Sequence, residues 1–122
     1  MFEVTVTKEF EATHALQGYR GANEAPHSHR WRLKASIASG TLDCAGCAID
    51  FASVDEAISK AIAPLVESPL HENPIFAGVS PSAENVARHI YKVLSASLDD
   101  STRRVARVVV WEDELHAASY FE

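Results

Sequence analysis

This sequence has few cysteines, no long apolar run and fewer basic than acidic residues. Its two cysteines, Cys44 and Cys47, form one C-x-x-C, which could be half a zinc site or a redox pair. No second C-x-x-C and no βαβ pattern accompany them, so we interpret them as reduced thiols in a turn. No apolar run is long enough to span a membrane, and we expect no membrane partner.

The shortage of basic residues excludes another class of partner. Eleven Lys and Arg residues stand against 17 Asp and Glu, which gives a formal net charge of −6. Because phosphate binding needs a basic surface, we expect no nucleic-acid partner. The 122 residues, 47% hydrophobic and 23% charged, fit one globular domain over 1–122. The first residues lack the basic start and apolar run of a secretory signal, so we expect a cytoplasmic protein.

A period of two predicts a half-buried strand over 27–39. Apolar residues alternate there with polar ones: Trp31, Leu33, Ala35 and Ile37 with Arg30, Arg32, Lys34 and Ser36. Side chains two apart point to the same face of a strand, so His27 and His29 project together. Such a pair can bind a metal ion, or it can be two solvated or hydrogen-bonded histidines.

A third histidine is available from the first predicted strand, over 2–14. His14 shares its parity with the apolar residues there, so it is expected to face inward at the strand's far end. Three neutral imidazoles without a thiolate suit Zn²⁺ and leave a fourth coordination position open. An open position is typical of a catalytic metal, so the pattern predicts a zinc centre at His14, His27 and His29.

The remaining pattern predicts an α+β fold in the order ββααββ. Further strands are expected over 105–111 and 117–121. Ser53 with Glu56 forms a candidate capping box for the first helix, and the second is predicted to begin with Ser80 as N-cap and Pro81 at its first position. The elements predict a four-stranded antiparallel sheet with two helices on one face. Its open edges and uncovered second face favour a homo-oligomer with pockets between subunits.

This layout and several motifs together resemble the 6-pyruvoyltetrahydropterin synthase family, which includes the 6-carboxytetrahydropterin synthases of queuosine biosynthesis. The motifs follow in the family's order along nearly the whole chain: 10–14 (F-x-A-A-H), 27–29 (H-G-H), 48–51 (V-x-D-F), 80–85 (P-T-x-E-N), and 110–112 with Tyr120. The resemblance implies the tunnelling fold, or T-fold, usually a hexamer with its sites at subunit interfaces.

The resemblance also implies roles for individual residues. His14, His27 and His29 match the family's zinc ligands, and Glu112 matches the glutamate that anchors the pterin. Ser82, in the stretch that resembles P-T-x-E-N, is expected to bind the substrate as well. One carboxylate can accept from the N–H and the amine that a pterin presents side by side. Without the resemblance, Glu112 would be interpreted as a solvated carboxylate at a strand end.

The chain departs from the family at the usual catalytic residues. Asn23 stands where the family has a cysteine, four residues before the first histidine of the pair. The family's L-D-H aligns with 65–67, so Val66 and Glu67 replace the relay aspartate and histidine. Glu67 itself, or His71 if the alignment slips, could serve as the base.

Glu24 is another candidate acid/base, three residues before His27. Some family members resemble this chain in carrying E-x-x-H-G-H, and they cleave the side chain of dihydroneopterin to a 6-hydroxymethylpterin. The alternative is a loop charge facing water. Two functions are therefore expected: a zinc-dependent lyase or isomerase acting on the C6 side chain of a dihydroneopterin-type pterin, or a zinc- and pterin-binding homologue without synthase activity.

Overall fold

The computed structural model describes residues 1–122 and confirms the predicted order of elements. The strands and α-helices are β1 (Phe2–His14), β2 (His27–Ser39), α1 (Phe51–Val66), α2 (Ala83–Leu98), β3 (Arg103–Trp111) and β4 (Ala117–Tyr120). The four strands form one antiparallel sheet in the order β1-β2-β3-β4. Two short 3₁₀ helices, Leu70–Glu72 and Pro74–Phe76, lie in the segment between the α-helices.

The pairing of β1 with β2 brings the predicted histidines together. The two strands pair along their whole length, and the last pair in this register is His14 opposite His27. His29 lies opposite Ala12, two residues further along β2. The three histidines therefore lie at one end of the sheet, beside the loop over 15–26 that joins the two strands.

The core lies between one face of the sheet and the two helices. Alternate residues of β2 point into it, and Trp31, Leu33 and Ala35 are fully buried. The apolar face of α2, which includes Ile90 and Leu94, packs against β3 and β4, while α1 packs against β1 and α2. This arrangement confirms the predicted α+β fold with both helices on one face. Neither helix is long and apolar enough to cross a membrane.

Both predicted helix caps are wrong by a few residues. Asp50, not Ser53, caps α1, because its carboxylate accepts a hydrogen bond from the Ala52 N–H at 2.9 Å. Helix α2 is capped by Ser82, whose hydroxyl accepts from the Asn85 N–H at 3.3 Å. Ser80 is unavailable as a cap because its hydroxyl accepts from the Gln17 N–H at 3.0 Å, which ties the loop after β1 to the segment before α2.

The cap of α1 can be tested by two alanine substitutions. Asp50→Ala leaves the Ala52 N–H without its acceptor, so we expect a loss of about 1 kcal/mol in the free energy of unfolding. Ser53→Ala is the matched control, and it should cost less than about 0.5 kcal/mol because the hydroxyl caps nothing. Urea unfolding followed by circular dichroism measures both. A larger loss for Ser53→Ala than for Asp50→Ala would contradict the observed cap.

Candidate metal centre

Three histidines and one glutamate converge at the loop end of the sheet. Ligand atoms of His14, His27, His29 and Glu112 all lie within 4.8 Å of one another. The imidazoles come from the paired ends of β1 and β2, and Glu112 directly follows β3. A group of three imidazoles and a carboxylate at this spacing can hold a metal ion.

In His14 and His27, the ring nitrogen that is hydrogen-bonded to the surrounding protein determines which nitrogen keeps a free lone pair. His14 is 1% exposed, and its Nδ1 lies 2.9 Å from the Pro81 carbonyl oxygen. His27 Nδ1 lies 3.2 Å from the Ala25 carbonyl oxygen and 3.4 Å from a Glu24 carboxylate oxygen. A carbonyl can only accept, so Nδ1 carries the proton in both rings. In the neutral imidazoles, each Nε2 therefore has a free lone pair.

These two lone pairs point at each other. The Nε2 atoms of His14 and His27 are 2.7 Å apart, and Glu112 Oε1 lies 2.7 Å from the first and 3.3 Å from the second. His29 Nε2 approaches the same oxygen at 3.4 Å. Acceptors this close repel one another unless they share a proton or a cation. The Nδ1 atoms of His14 and His27 are already held by carbonyl and carboxylate oxygens. The three imidazoles and the Glu112 carboxylate therefore fit a divalent metal ion as its ligands.

The charges of this cluster favour the ionised carboxylate and the protonated imidazole. Burial lowers the pKa of His27, but the hydrogen bonds to the Ala25 carbonyl and Glu112, with the charge of Glu24, outweigh it and raise the pKa overall. Burial raises the pKa of the Glu112 carboxyl, but hydrogen bonding to His27 and His14 lowers it overall. Glu112 is therefore a carboxylate near neutral pH, as its predicted role as an acceptor for a pterin requires.

The candidate acid/base residues occupy three different surroundings. Glu24 lies closest to the histidines, 3.4 Å from His27, and its carboxylate also accepts from the Leu16 N–H at 3.3 Å. Glu67 lines a cavity of about 490 Å³ that also includes His29. His71 is outside the cluster; its Nδ1 is buried without a partner, and its Nε2 is 4.0 Å from Glu72.

Ser82 lines a smaller cavity together with His116, which the sequence analysis did not single out, nor did it single out the partner of His116, Asp113. The cavity, of about 210 Å³, is lined by Ser82, Glu112 and His116 among others. His116 is hydrogen-bonded through Nδ1 to Asp113, the residue after Glu112. The signal in the sequence was an aspartate and a histidine three apart between two strands, a spacing too common in turns to indicate a site. The Pro81 carbonyl that holds His14 was missed because a backbone acceptor has no sequence signature.

The fold and the cluster define a class, the T-fold proteins with a histidine cluster that could hold a metal ion. Within it, the chain belongs to the 6-pyruvoyl tetrahydropterin synthase family, whose family model matches residues 3–122. It is 27% identical over 120 residues to the 6-carboxy-5,6,7,8-tetrahydropterin synthase of Rickettsia bellii (strain RML369-C), covering 84% of this chain and 87% of that protein.

Solved structures of this family have the same fold. The 6-pyruvoyl tetrahydropterin synthase of Plasmodium vivax superposes with a TM-score of 0.80 at 18% identity, over 99% of this chain and 97% of that one. The Caenorhabditis elegans protein of the same name gives a TM-score of 0.76 at 18% identity, over 100% and 97%. A second structure of the Plasmodium vivax protein has alanine in place of a glutamate described as a catalytic residue. Its TM-score is also 0.80, at 18% identity over 99% of this chain and 97% of that one.

Proposed function

We propose that this protein is a zinc-dependent lyase or isomerase that acts on the C6 side chain of a dihydroneopterin-type pterin. The observation that carries the proposal is the convergence of three imidazoles, two with Nε2 left free by their outer hydrogen bonds, beside an ionised Glu112. Membership of the tetrahydropterin synthase family supports the pterin as the substrate. The name of the Rickettsia bellii relative supports the same class of reaction.

His14, His27 and His29 would hold Zn²⁺ through their Nε2 atoms. When bound, zinc supplies a Lewis acid that polarises a side-chain hydroxyl and stabilises the negative charge that develops on it. The Pro81 and Ala25 carbonyls keep His14 and His27 in the tautomer that ligation needs.

Glu112 and Ser82 would bind the pterin. The Glu112 carboxylate can accept from a ring N–H and the neighbouring exocyclic amine, a charge-assisted bidentate pair. Its partial burial strengthens that pair, since water competes less for the carboxylate. Ser82 lines the adjoining cavity, where its hydroxyl can contact the substrate.

Glu24 is the acid/base group that the geometry favours. Its carboxylate lies 3.4 Å from Nδ1 of the proposed zinc ligand His27, which makes it the candidate nearest to the cluster. The Plasmodium vivax protein, in which a glutamate is described as catalytic, supports this role. Glu67 is the second candidate because its cavity adjoins His29, whereas the surroundings of His71 favour it least.

A second candidate function is a homologue that binds zinc and a pterin without synthase activity. Asn23 cannot transfer protons, and Val66 and Glu67 replace the aspartate and histidine of the family's relay. Steady-state assays with dihydroneopterin and with its triphosphate distinguish the two functions, since only the first produces turnover.

We expect about one Zn²⁺ per chain in protein purified without added metal. His29→Ala removes one of three ligands and should lose most of the zinc, measured by inductively coupled plasma mass spectrometry. The control is His116→Gln, which changes an exposed histidine outside the cluster and should retain zinc. Wild-type protein that contains no zinc, or a His29→Ala variant that keeps a full equivalent, would contradict the proposed ligands.

The departures from the usual catalytic residues predict which pterin reacts. Each general acid or base typically supplies about 10²–10⁴-fold in rate, so we expect little conversion of dihydroneopterin triphosphate to 6-pyruvoyl- or 6-carboxytetrahydropterin. Dihydroneopterin should instead be cleaved to a 6-hydroxymethylpterin, with the products measured by liquid chromatography.

Glu24→Gln should abolish this cleavage, because it keeps the size of the side chain but removes the titrating group. It should leave pterin binding intact and still bind zinc at micromolar metal. The control is Glu3→Gln at the far end of β1, where Phe2 pairs with Ser39. Rapid 6-carboxytetrahydropterin formation that Glu24→Gln leaves unchanged would refute the assignment of Glu24.

We also propose a homo-oligomer, with a hexamer expected from the family resemblance, working in the cytoplasm. The 13-residue strand β1 is an unpaired edge, and the sheet face away from the helices carries a row of basic residues on β2. Light scattering at micromolar concentration should give a mass near six chains, and a stable monomer would contradict the assembly. Two free, exposed cysteines fit a reducing compartment, which cell fractionation would test.

A further inference from the structure

An aspartate and a histidine are paired in the hairpin that joins β3 to β4. The Asp113 carboxylate accepts from His116 Nδ1, at 2.8 Å to one oxygen and 3.0 Å to the other. The same carboxylate accepts from the backbone N–H groups of Leu115 and His116, both at 2.8 Å. Asp113 therefore fixes the proton of His116 on Nδ1 and leaves Nε2 free to accept another.

The hairpin places this pair beside the proposed substrate site. The Glu112 N–H donates to the His116 carbonyl at 3.1 Å, so the pterin anchor and the pair belong to one five-residue turn. His116 lines the cavity of about 210 Å³ together with Glu112 and Ser82. Ser82 directly follows Pro81, whose carbonyl holds His14. The cavity thus shares Glu112 with the histidine cluster, and the His116 side chain beside it is exposed to solvent.

We propose that His116 is a catalytic acid/base group for the pterin side chain and that Asp113 is its positioning residue. The inference rests on the proposed function and deepens it. The aspartate and histidine that the family carries in its relay are Val66 and Glu67 here, and the hairpin supplies the same two groups from a different part of the fold. Glu24 and His116 then provide the two proton-transfer groups that side-chain cleavage requires.

The step is a retro-aldol cleavage that involves no oxidant or reductant. His116 Nε2 accepts the proton of the second side-chain hydroxyl while the bond between the first and second side-chain carbons breaks. The oxygen keeps its electrons and forms the carbonyl of glycolaldehyde, and the bond's electron pair remains on the carbon attached to the ring. That carbon then takes up one proton from the carboxyl group of Glu24 to give the 6-hydroxymethylpterin, and the proton held by His116 returns to Glu24 through solvent, which restores both groups. The Asp113 carboxylate stabilises the imidazolium while it exists.

The test uses the zinc-loaded full chain with dihydroneopterin as the substrate. His116→Gln should lower kcat by about 10²–10⁴-fold while zinc content and the Kd for neopterin, a non-reacting pterin, stay unchanged. His116→Gly should regain part of its turnover when free imidazole is added, because the site is open to solvent. The control is Glu114→Gln in the same hairpin, which should keep the wild-type kcat. Thermal unfolding of each variant establishes that it is folded.

Asp113→Asn tests whether Asp113 positions the His116 imidazole or only stabilises the hairpin turn. The charged groups around His116 are Asp113 on its own hairpin, with Glu112 and Glu84 of α2 on the wall of the cavity. The Asp113 carboxylate holds the His116 proton on Nδ1, so Asp113→Asn should reduce kcat with little change in KM and should shift the imidazole toward the tautomer protonated on Nε2, measured by ¹⁵N NMR. A purely structural role would lower stability and leave the tautomer of His116 unchanged.

The possible failures are distinguishable. Wild-type turnover with an undiminished kcat in His116→Gln overturns the role of His116 and leaves the proposed function intact. Loss of activity in His116→Gly that imidazole does not restore, together with weaker neopterin binding, assigns the residue to structure instead. Wild-type protein that turns over neither dihydroneopterin nor its triphosphate overturns the proposed function, and the catalytic role of His116 with it.

Discussion

The hydrogen bond from His14 to the Pro81 carbonyl joins the candidate metal centre to the fold. His14 is almost completely buried, so an Nδ1–H without this acceptor would cost about 1–3 kcal/mol. The acceptor is in place because α2 begins at Ala83 and leaves the Pro81 carbonyl outside the helix. Ser80 ties the same segment to Gln17 in the loop after β1. The start of one helix therefore sets the orientation of a side chain 67 residues earlier in the chain.

This dependence explains which parts of the site could be predicted from the sequence. Periodicity is local, so the strand over 27–39 and the shared face of His27 and His29 follow from the alternation itself. His14 also follows from parity, and the register that pairs it with His27 then brings the rings together. The caps were misplaced because several serines could serve, and the choice depends on a loop contact with Gln17, which is distant in sequence. Backbone acceptors such as Pro81 leave no local trace at all.

Charge in the cluster is balanced by groups from four separate segments. The imidazoles come from β1 and β2, Glu24 from the loop between them and Glu112 from the end of β3. In this partly buried setting each carboxylate favours positive charge on His27, and each imidazole favours the ionised form of Glu112. A divalent cation satisfies both tendencies at once, since it removes the lone-pair repulsion between His14 and His27 and offsets the negative charge of the carboxylates.

The clustered histidines and the candidate proton-transfer groups come from different segments of the chain, so they are under different structural constraints. The clustered histidines are constrained by strand pairing and, at His14, by a buried hydrogen bond, so a substitution there disturbs the core as well as the candidate metal site. Proton-transfer groups are constrained much less, because they need only reach the substrate from the rim of the site. The segment at Val66 and Glu67 and the hairpin at Asp113 and His116 both border cavities next to the cluster. Under the proposed function, a proton-transfer group at one of these rims could take the place of one at the other without a change in the histidine cluster, and His116 is the group that we propose for this role.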